Sequence, residues 1–277
     1  MKGSSYESGR FLREGVVEID AAVVGISSNR WISLSKREAD TNAATLIMKS
    51  NRFDVLPISD DDGVKEYFYT ERWDDYSSVV RGRISHKDVV PFTTPLRDVI
   101  KGFALDSRRF YFLSDERRIV GLISVANLNC RQVKVYLFSL LCELEIGMGN
   151  LISRHCSEPE LLSMTFGGSD VAQGGKEVKP KHVEVKRRFE ADKDKGLEVP
   201  FVEYLYLTDM KSIVKKKRLF ERLGYQSSNK FQSDLSPLID LRHAVAHPTR
   251  SLVDGSRSFV QLWAEIDRIE ELLFALR

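Results

Sequence analysis

The first half of the chain contains an internal repeat, which constrains the fold more than any other feature of the sequence. The segment TNAATLIMKSNRFDVLPISDDDGVKEYFYT, residues 41–70, aligns with TPLRDVIKGFALDSRRFYFLSDERRIVGLIS, residues 94–124. Each copy opens with a threonine, Thr41 or Thr94, that we expect to cap an amphipathic helix. Two strands joined by an acidic turn follow in each copy, so the sequence predicts an α/β unit that occurs twice.

The two copies differ slightly in length. The second strands end at Thr70 and Ser124. Eleven positions separate Ser59 from Thr70, whereas ten separate Ser114 from Ser124. We therefore place a one-residue difference in the hairpin turn.

The pattern changes at about residue 130, where apolar residues recur at helical spacing. The first such segment carries five of them: Leu137, Leu140, Leu144, Met148 and Leu151. A polar, Gly-rich segment from Phe166 predicts a loop between helices. Further helices are expected at about 200–222, 231–246 and 257–276, so the second half is predicted to be an all-α helical bundle.

The composition limits the classes of protein to consider. With 277 residues, 42% hydrophobic and 30% charged, the chain is long enough for two domains of ordinary size. Lys and Arg number 42 against 40 Asp and Glu, so a polyanion would have to be bound by local basic clusters. Three cysteines without CxxC spacing argue against disulfides and structural zinc. The polar N-terminal segment and the lack of a long apolar run predict a cytoplasmic protein without a membrane span.

Each α/β unit places a strand beside a hydroxyl residue at the start of a helix. Amides at a helix N-terminus can bind phosphate, and a carboxylate or amide one turn later can bind ribose hydroxyls. These residues are Ser124 and Asn127 in the second copy, and Thr70 and Asp74 in the first. Three arginines are candidate phosphate contacts: Arg72, Arg108 and Arg109.

The segments VLPISDDDG and FLSDERRIVGLISVANLN resemble the two copies of a cystathionine-β-synthase (CBS) domain pair, over about residues 20–129. In that family the second strand ends in Gly, two hydrophobic residues, Thr or Ser, two variable residues and Asp. GLISVAN, from Gly121 to Asn127, matches with Asn in place of Asp. The resemblance implies a cleft for an adenine nucleotide or a related messenger; the alternative is a pair that only dimerises.

The first copy offers two positions for the same pattern. The strand EYFYT lacks the glycine and ends at Thr70, with Asp74 four residues later. GRISHKD, with Ser85 and Asp88, matches the short pattern but lies farther from Pro57 than the usual hairpin allows. We therefore assign the first site to Thr70 and Asp74.

In the second half, LIDLRHAVAHP places Arg242, His243 and His247 near the end of a predicted helix. Pro248 disfavours helical geometry at His247, so the helix should end around Ala246. On a continuous helix the arginine and His247 would lie about 140° apart, whereas a terminating helix allows both to face one cleft. Arg can stabilise phosphoryl charge while His transfers a proton to or from a ribose hydroxyl.

An Arg-x4-His pair before the last helix of an all-α domain resembles the motif of HEPN ribonucleases, over about residues 131–277. The position after Arg is commonly Asn in that family and is His243 here. The resemblance implies a metal-independent endoribonuclease that cleaves single-stranded RNA by 2′-hydroxyl attack, needs no cofactor, and acts as a toxin or defence effector. Its two motifs would meet across a homodimer, and Glu143 or Glu145 on the first helix would support the motif.

Other interpretations use the same residues. His247 can be a capping residue beside a solvated arginine, and a zinc site is weaker because there is no HExxH arrangement or nearby thiol. The basic runs at 181–188 and 211–218 can bind RNA phosphates or be solvated helix faces. The competing function is a non-enzymatic nucleotide-binding sensor and dimerisation protein.

We therefore expect an α+β multidomain chain. An N-terminal extension at 1–19 precedes an α/β CBS pair at 20–129. A HEPN-like helical bundle at 131–277 completes the expected organisation.

Overall fold

A computed structural model describes residues 16–72, 75–106, 108–166, 180–247, 249–254 and 257–277. These residues divide into two compact units. The sheet unit comprises 17–136 and 251–264, and the helical unit comprises 137–250, 265–277 and Val16. Helices and strands both occur among the described residues, which confirms the α+β class.

The described residues contain nine α-helices and eight strands. The helices are α1 (Ala21–Val24), α2 (Thr41–Asn51), α3 (Leu96–Leu105), α4 (Arg131–His155), α5 (Glu158–Phe166), α6 (Pro180–Asp194), α7 (Leu207–Lys216), α8 (Ser228–Ala246) and α9 (Phe259–Ala275). The strands are β1 (Ile26–Ser27), β2 (Leu34–Ser35), β3 (Val55–Asp60), β4 (Gly63–Thr70), β5 (Val79–Arg83), β6 (Val89–Pro91), β7 (Phe110–Asp115) and β8 (Arg118–Ser124).

The repeat produces two similar four-stranded sheets, with the strand orders β2-β3-β4-β5 and β1-β8-β7-β6. In each sheet the predicted hairpin is antiparallel, β3 with β4 and β7 with β8. A short strand, β2 or β6, pairs in parallel with the first hairpin strand. The outer partner of the second hairpin strand differs: β5 adds to β4, whereas β1 adds to β8.

The two hairpin turns have the same length. Asp60 pairs with Gly63 in the first copy, and Asp115 pairs with Arg118 in the second. Both hairpins also shift register at the same distance from the turn. The prediction of a one-residue difference in the turn is therefore wrong.

The extra residue lies instead at the far end of β4. Tyr69 pairs with Val55 at the position where Ser124 pairs with Phe110 in the second copy. Thr70 extends β4 by one residue because it pairs with β5 on the other edge. Ser124 and Thr70 are consequently not equivalent positions of the two hairpins.

Neither predicted threonine cap is present. The helix α2 is capped by Asp40, whose carboxylate accepts hydrogen bonds from the amides of Asn42 at 3.0 Å and Ala43 at 3.1 Å. Thr41 is already inside that helix. The helix α3 begins at Leu96, after Pro95, which has no capping side chain, and Thr94 lies one residue before the cap position.

The two sheets share an aromatic core within the sheet unit. Buried residues of both copies form it: Val55, Tyr67, Phe112 and Leu122. The ring of Tyr67 lies 5.3 Å from those of Phe110 and Phe112. Burial raises the pKa of Tyr67 to about 12, so this phenol stays neutral.

The helices of the second half differ in detail from the expectation. The segment predicted at 200–222 is one α-helix, α7, between two 3₁₀ turns at Phe201–Tyr204 and Leu219–Leu223. The chain is extended at Leu205, and Arg218 has a φ of 56°, so no single helix can continue through either residue. Most of the predicted Gly-rich loop, 167–179, lies outside the described residues.

The helix α4 contains the predicted apolar series. Leu137, Leu140, Leu144 and Met148 are fully buried, and Leu151 is half-buried. Among the described residues, α4 is the one helix long and apolar enough to cross a membrane. The core helix of a soluble protein has the same properties, so this finding is compatible with the predicted soluble protein.

Candidate functional site

The strand β8 ends at Ser124 and continues into a 3₁₀ turn, Val125–Asn129. The Oδ1 atom of Asn127 accepts hydrogen bonds from the amide of Ser124 at 2.8 Å and from its hydroxyl at 2.9 Å. Both predicted ligand residues are half-buried. Ser124 and Asn127 therefore close one compact turn. The Ser124 hydroxyl donates its proton to Asn127, and its oxygen can still accept a hydrogen bond.

The same turn occurs in the first copy, at Ser85–Asp88 of the segment GRISHKD rather than at Thr70. The Oδ2 atom of Asp88 accepts from the amide of Ser85 at 2.8 Å and from its hydroxyl at 2.6 Å. A glycine precedes each serine by three residues, Gly82 here and Gly121 in the second copy. The distance from Pro57 was misleading because the additional strand β5 separates the hairpin from this turn.

Thr70, one of the two residues assigned to the first site, is not part of this turn. Thr70 is buried, and its hydroxyl oxygen is 3.5 Å from Oδ1 of Asp54. Asp74 lies outside the described residues. Arg72 is exposed next to that gap.

Two of the predicted phosphate contacts lie between the copies of the sheet unit. Arg108 donates a hydrogen bond to Asp88, and the Nη1 atom of Arg109 lies 3.4 Å from the carbonyl oxygen of Thr70. The carbonyl of Arg109 also accepts from the amide of Val125 at 2.8 Å. These arginines thus connect the second copy to the first, and Arg108 neutralises the acidic turn.

The electrostatics of Asp88 follow from these contacts. Burial favours the neutral acid, but hydrogen bonds from Ser85 and the charge and hydrogen bond of Arg108 outweigh it. The pKa of Asp88 is therefore held below its usual range. An ionised carboxylate and a guanidinium stand at the first turn, whereas the second turn has a neutral amide.

The predicted catalytic residue Arg242 lies on α8, and its side chain contacts α4. Its Nε atom donates to Oε1 of Glu145 over 3.1 Å, and its guanidinium carbon lies 5.1 Å from the ring centre of Phe138. Glu145 and Phe138 are seven residues apart on α4, so they share a face of that helix. The structure thus identifies Glu145, rather than Glu143, as the acidic partner of Arg242.

The helix α8 ends at Ala246, as the sequence predicts. His247 has φ −102° and ψ 107°, which is extended geometry, and its side chain is exposed. The amide of Arg250 donates to the carbonyl of His247 at 3.1 Å and forms a turn. His243 is exposed on the last turn of α8, next in sequence to Arg242.

A cysteine lies near the Arg242–Glu145 pair. Burial raises the pKa of the Cys142 thiol, and the Glu145 charge adds to the increase while Arg242 opposes it. A thiol with a raised pKa is a weak nucleophile at neutral pH. No group of three or more His, Cys, Asp or Glu suited to a metal ion occurs among the described residues.

The second basic run, 211–218, is largely occupied by contacts within the helical unit. Its side chains bind neighbouring groups in these pairs: Lys211–Ser236, Lys215–Gln232, Lys216–Met164, Lys217–Glu160 and Arg218–Glu221. The hydrogen bond and charge of Lys217 contribute to lowering the pKa of Glu160 to about 2. In the first run, Arg187 likewise pairs with Glu184 at 2.8 Å. Three of the pairs are ion pairs, which offset part of the positive charge of the runs: Arg187–Glu184, Lys217–Glu160 and Arg218–Glu221.

Comparison with known proteins adds no relative: no family model, curated protein or solved structure matches the chain. The resemblances to the CBS and HEPN families therefore depend on the residues themselves. The segments VLPISDDDG and FLSDERRIVGLISVANLN carry the first resemblance, and the Arg242–His247 spacing carries the second; both stay predictions from the sequence.

Proposed function

We propose that the protein is a nucleotide-regulated, metal-independent endoribonuclease that cleaves single-stranded RNA and acts as a toxin or defence effector. The observation that carries the proposal is the hydrogen bond from Arg242 to Glu145, because Arg242 lies five residues before His247, the residue that follows the end of α8. The carboxylate of Glu145 orients the guanidinium, and the nearby His247 has an extended backbone and an exposed imidazole. A cation and an imidazole together suit phosphoryl chemistry.

The proposed reaction uses these side chains as follows. A general base removes the proton of the ribose 2′-hydroxyl, and the 2′-oxygen attacks the adjacent phosphorus. The bond to the 5′-oxygen breaks, a general acid protonates that leaving oxygen, and a 2′,3′-cyclic phosphate remains. Histidine suits both proton transfers because its charge changes near neutral pH, and the guanidinium of Arg242 stabilises the phosphoryl oxygens. A homodimer would supply His247 twice, with His243 in a supporting role.

Regulation is assigned to the sheet unit. An adenine nucleotide or a related messenger would bind at Ser124 and Asn127, with the three predicted arginines as further contacts. The assignment of Thr70 and Asp74 to a first site stays a sequence-based prediction, since Thr70 is buried and Asp74 lies outside the described residues. The turn at Ser85 and Asp88 is a second position of the same geometry. A ligand with different affinities for two dimer states would switch the helical unit.

The deciding experiment measures cleavage of single-stranded RNA by the purified protein in the presence of a metal chelator. Arg242→Ala and His247→Ala should each lower the rate by about 10²- to 10⁴-fold, and His243→Ala should do less. His155→Ala is a matched control, because its Nδ1 lies 2.9 Å from the carbonyl of Leu151 at another helix end. DNA should survive because it lacks the 2′-hydroxyl.

Two outcomes would contradict the proposal: a requirement for added magnesium, or full activity of His247→Ala. Light scattering that shows a monomer at micromolar concentration would contradict the homodimer. The chemical product is a further check, since a 2′,3′-cyclic end is expected on the RNA fragment.

The second candidate is a nucleotide sensor without enzymatic activity. The internal pairing of the basic run at 211–218 favours it, because those side chains are engaged by the protein. Overexpression separates the two functions: an active ribonuclease should arrest growth, and His247→Ala should relieve that toxicity. A docking or dimerisation module should be tolerated in both forms.

A further inference from the structure

A cavity opens in the helical unit beside the start of α8, towards the other end of that helix from Arg242. Its volume of about 410 Å³ is within the range of small-molecule sites. Lys230 in its wall precedes Arg242 by twelve residues, about 18 Å along a helix, so the cavity is separate from the Arg242–His247 motif. Six lining side chains can contact a ligand: Tyr225, Ser227, Lys230, Asp234, Arg268 and Glu271.

The charged groups of the cavity balance one another. Lys230 donates a hydrogen bond to Oδ1 of Asp234 over 2.7 Å, and Nη1 of Arg268 donates to Glu271. The Nη2 atom of Arg268 also lies 3.3 Å from Oδ2 of Asp234. Two cations and two carboxylates therefore cancel in formal charge. A polyanion gains little from such a site, whereas a ligand with both hydrogen-bond donors and acceptors can pair with both kinds of group.

Asp234 is the most buried of these charged groups, with 9% of its side chain exposed. Tyr225 and Arg268 approach its carboxylate, but no donor is aligned for a hydrogen bond to the buried Oδ2 atom within the part of the chain that the structure describes. A buried acceptor without an aligned donor is unfavourable, so this atom favours a ligand that donates. Lys230 is 62% exposed, and its long side chain can move aside to admit one.

The remaining wall suits a base and a phosphate. The ring of Tyr225 is half-buried and meets that of Phe231 edge to face, with centres 5.4 Å apart. Burial raises the pKa of Tyr225 to about 12, so the ring stays neutral and can stack on a base. Ser227 caps α8 by accepting a hydrogen bond from the amide of Lys230 at 3.3 Å. The start of a helix attracts phosphate because its first amides lack partners within the helix.

We propose that this cavity binds a guanine nucleotide, either free or within single-stranded RNA. Guanine presents two neighbouring acceptors, O6 and N7, as well as N1–H and amino donors, whereas adenine presents a single donor group. The cations Lys230 and Arg268 donate to the guanine acceptors, and Asp234 accepts from its donors. The base stacks on Tyr225, and the phosphate lies at the start of α8. This site goes beyond the proposed function and does not require RNA cleavage by Arg242 and His247.

The test measures binding of GMP, AMP, CMP and UMP to the full chain by calorimetry, and the backbone amide signals by NMR. Two RNA hexamers, with and without one guanosine, carry 2′-O-methyl groups so that cleavage cannot consume them. Asp234→Asn removes the charge of the buried carboxylate, and Lys230→Met removes a cation whose side chain is exposed. Asp240→Asn is the matched control, because Asp240 is an exposed residue of the same helix outside the cavity wall. The unfolding midpoint of each variant reports whether it is folded.

We expect GMP to bind about tenfold more tightly than the other mononucleotides, with shifted amide signals at 224–230. Asp234→Asn should weaken GMP binding by about tenfold, Lys230→Met should weaken it severalfold, and Asp240→Asn should leave it unchanged. Tighter binding of the guanosine hexamer than of GMP identifies RNA as the source of the base, and equal binding identifies the free nucleotide. No binding, binding without preference for guanine, or binding that folded Lys230→Met and Asp234→Asn both retain would overturn the proposal.

Discussion

Arg242 of α8 donates a hydrogen bond to Glu145 of α4 over 3.1 Å, although the two residues are 97 positions apart in the chain. Both side chains are partly accessible, at 31% and 27%. The pair therefore contributes little to stability by itself, as exposed or half-exposed ion pairs generally do. Its effect on geometry is larger, because the carboxylate restricts the direction in which the guanidinium can point.

The first prediction concerns this orientation. Glu145→Ala should lower kcat for single-stranded RNA by about 10- to 100-fold, less than Arg242→Ala, because the cation remains but loses its partner. Glu143→Ala is the control, since Glu143 lies on the same helix, about 200° around its axis from Glu145. Equal effects of the two glutamate variants in a steady-state cleavage assay would argue against an orienting role for Glu145.

The second prediction compares two glycines that the structure places in different surroundings. A Cβ atom at Gly121 would meet the carbonyl oxygen of Ile26 at 2.8 Å, and this backbone group of the neighbouring strand cannot easily move. Gly121→Ala should therefore lower the free energy of unfolding by about 1–3 kcal/mol. Thermal or denaturant unfolding provides the measurement.

Gly149 supplies the opposite case. It lies within α4, and a Cβ there would be 3.6 Å from Val202, which is ordinary contact. Gly149→Ala should leave the free energy of unfolding unchanged or raise it by up to about 1 kcal/mol, because alanine has the higher helix propensity. Greater loss of stability in Gly149→Ala than in Gly121→Ala would show that the backbone contact at Gly121 is not restrictive.

The repeat was sufficient to predict the two hairpins, because alternating helix and strand signals and acidic turns depend on local sequence. It was not sufficient to place the first ligand turn. The strand β5 has the sequence VVRGR, which is short and charged, and it pairs with β4 only through tertiary structure. Without β5, Ser85 and Asp88 are too far from the hairpin to be recognised as the equivalents of Ser124 and Asn127.

The helix caps and the acidic partner of Arg242 also could not all be predicted from local sequence. Asp40 takes the role predicted for Thr41 because its carboxylate stands one residue earlier and reaches two amides. The end of α8 was predictable because a proline acts on the residue directly before it. The choice between Glu143 and Glu145 was not, since it depends on how α4 is rotated relative to α8.

The third prediction follows from the pKa of Asp88. This pKa is lowered in the folded protein by Ser85 and Arg108 despite burial, so the ionised form binds its neighbours more strongly than the acid does. The corresponding stability is present above the unfolded pKa of about 3.9 and is lost as the pH falls through the lower folded value. Asp88→Asn should lower the free energy of unfolding at pH 7 by about 1–3 kcal/mol through loss of the ion pair.

The difference between wild type and Asp88→Asn should shrink below about pH 4, where the carboxyl of the unfolded chain takes up a proton, and should vanish below the lower folded pKa of Asp88. The hydrogen bonds to Ser85 should survive in the variant, because the amide of Asn127 makes the same two bonds to Ser124. Denaturant unfolding at several pH values measures this difference. A constant difference from pH 3 to pH 7 would mean that the charge of Asp88 does not contribute.

The last prediction joins ligand binding to the segment after His247. The 3₁₀ turn that contains Asn127 ends at Asn129. The side chain of Asn129 makes hydrogen bonds to the backbone of Leu252 and Val253. A nucleotide bound at this turn should restrict it, and amide exchange at Leu252 and Val253 should then become slower in wild type. The response should be lost in Asn129→Leu even if the nucleotide still binds.

Calorimetry with ATP, ADP, AMP and cyclic dinucleotides identifies the ligand, and the exchange experiment follows with the one that binds most tightly. Asn127→Asp is the informative variant, because a carboxylate accepts hydrogen bonds from ribose hydroxyls more strongly than an amide does and should preserve the bonds to Ser124. Its affinity for a ribose-containing ligand should rise, whereas Ser124→Ala should weaken binding. Absence of binding by all four classes of nucleotide would favour a pair of α/β units that only dimerises. Binding without any change in exchange at Leu252 and Val253 would show that the nucleotide does not act on this segment.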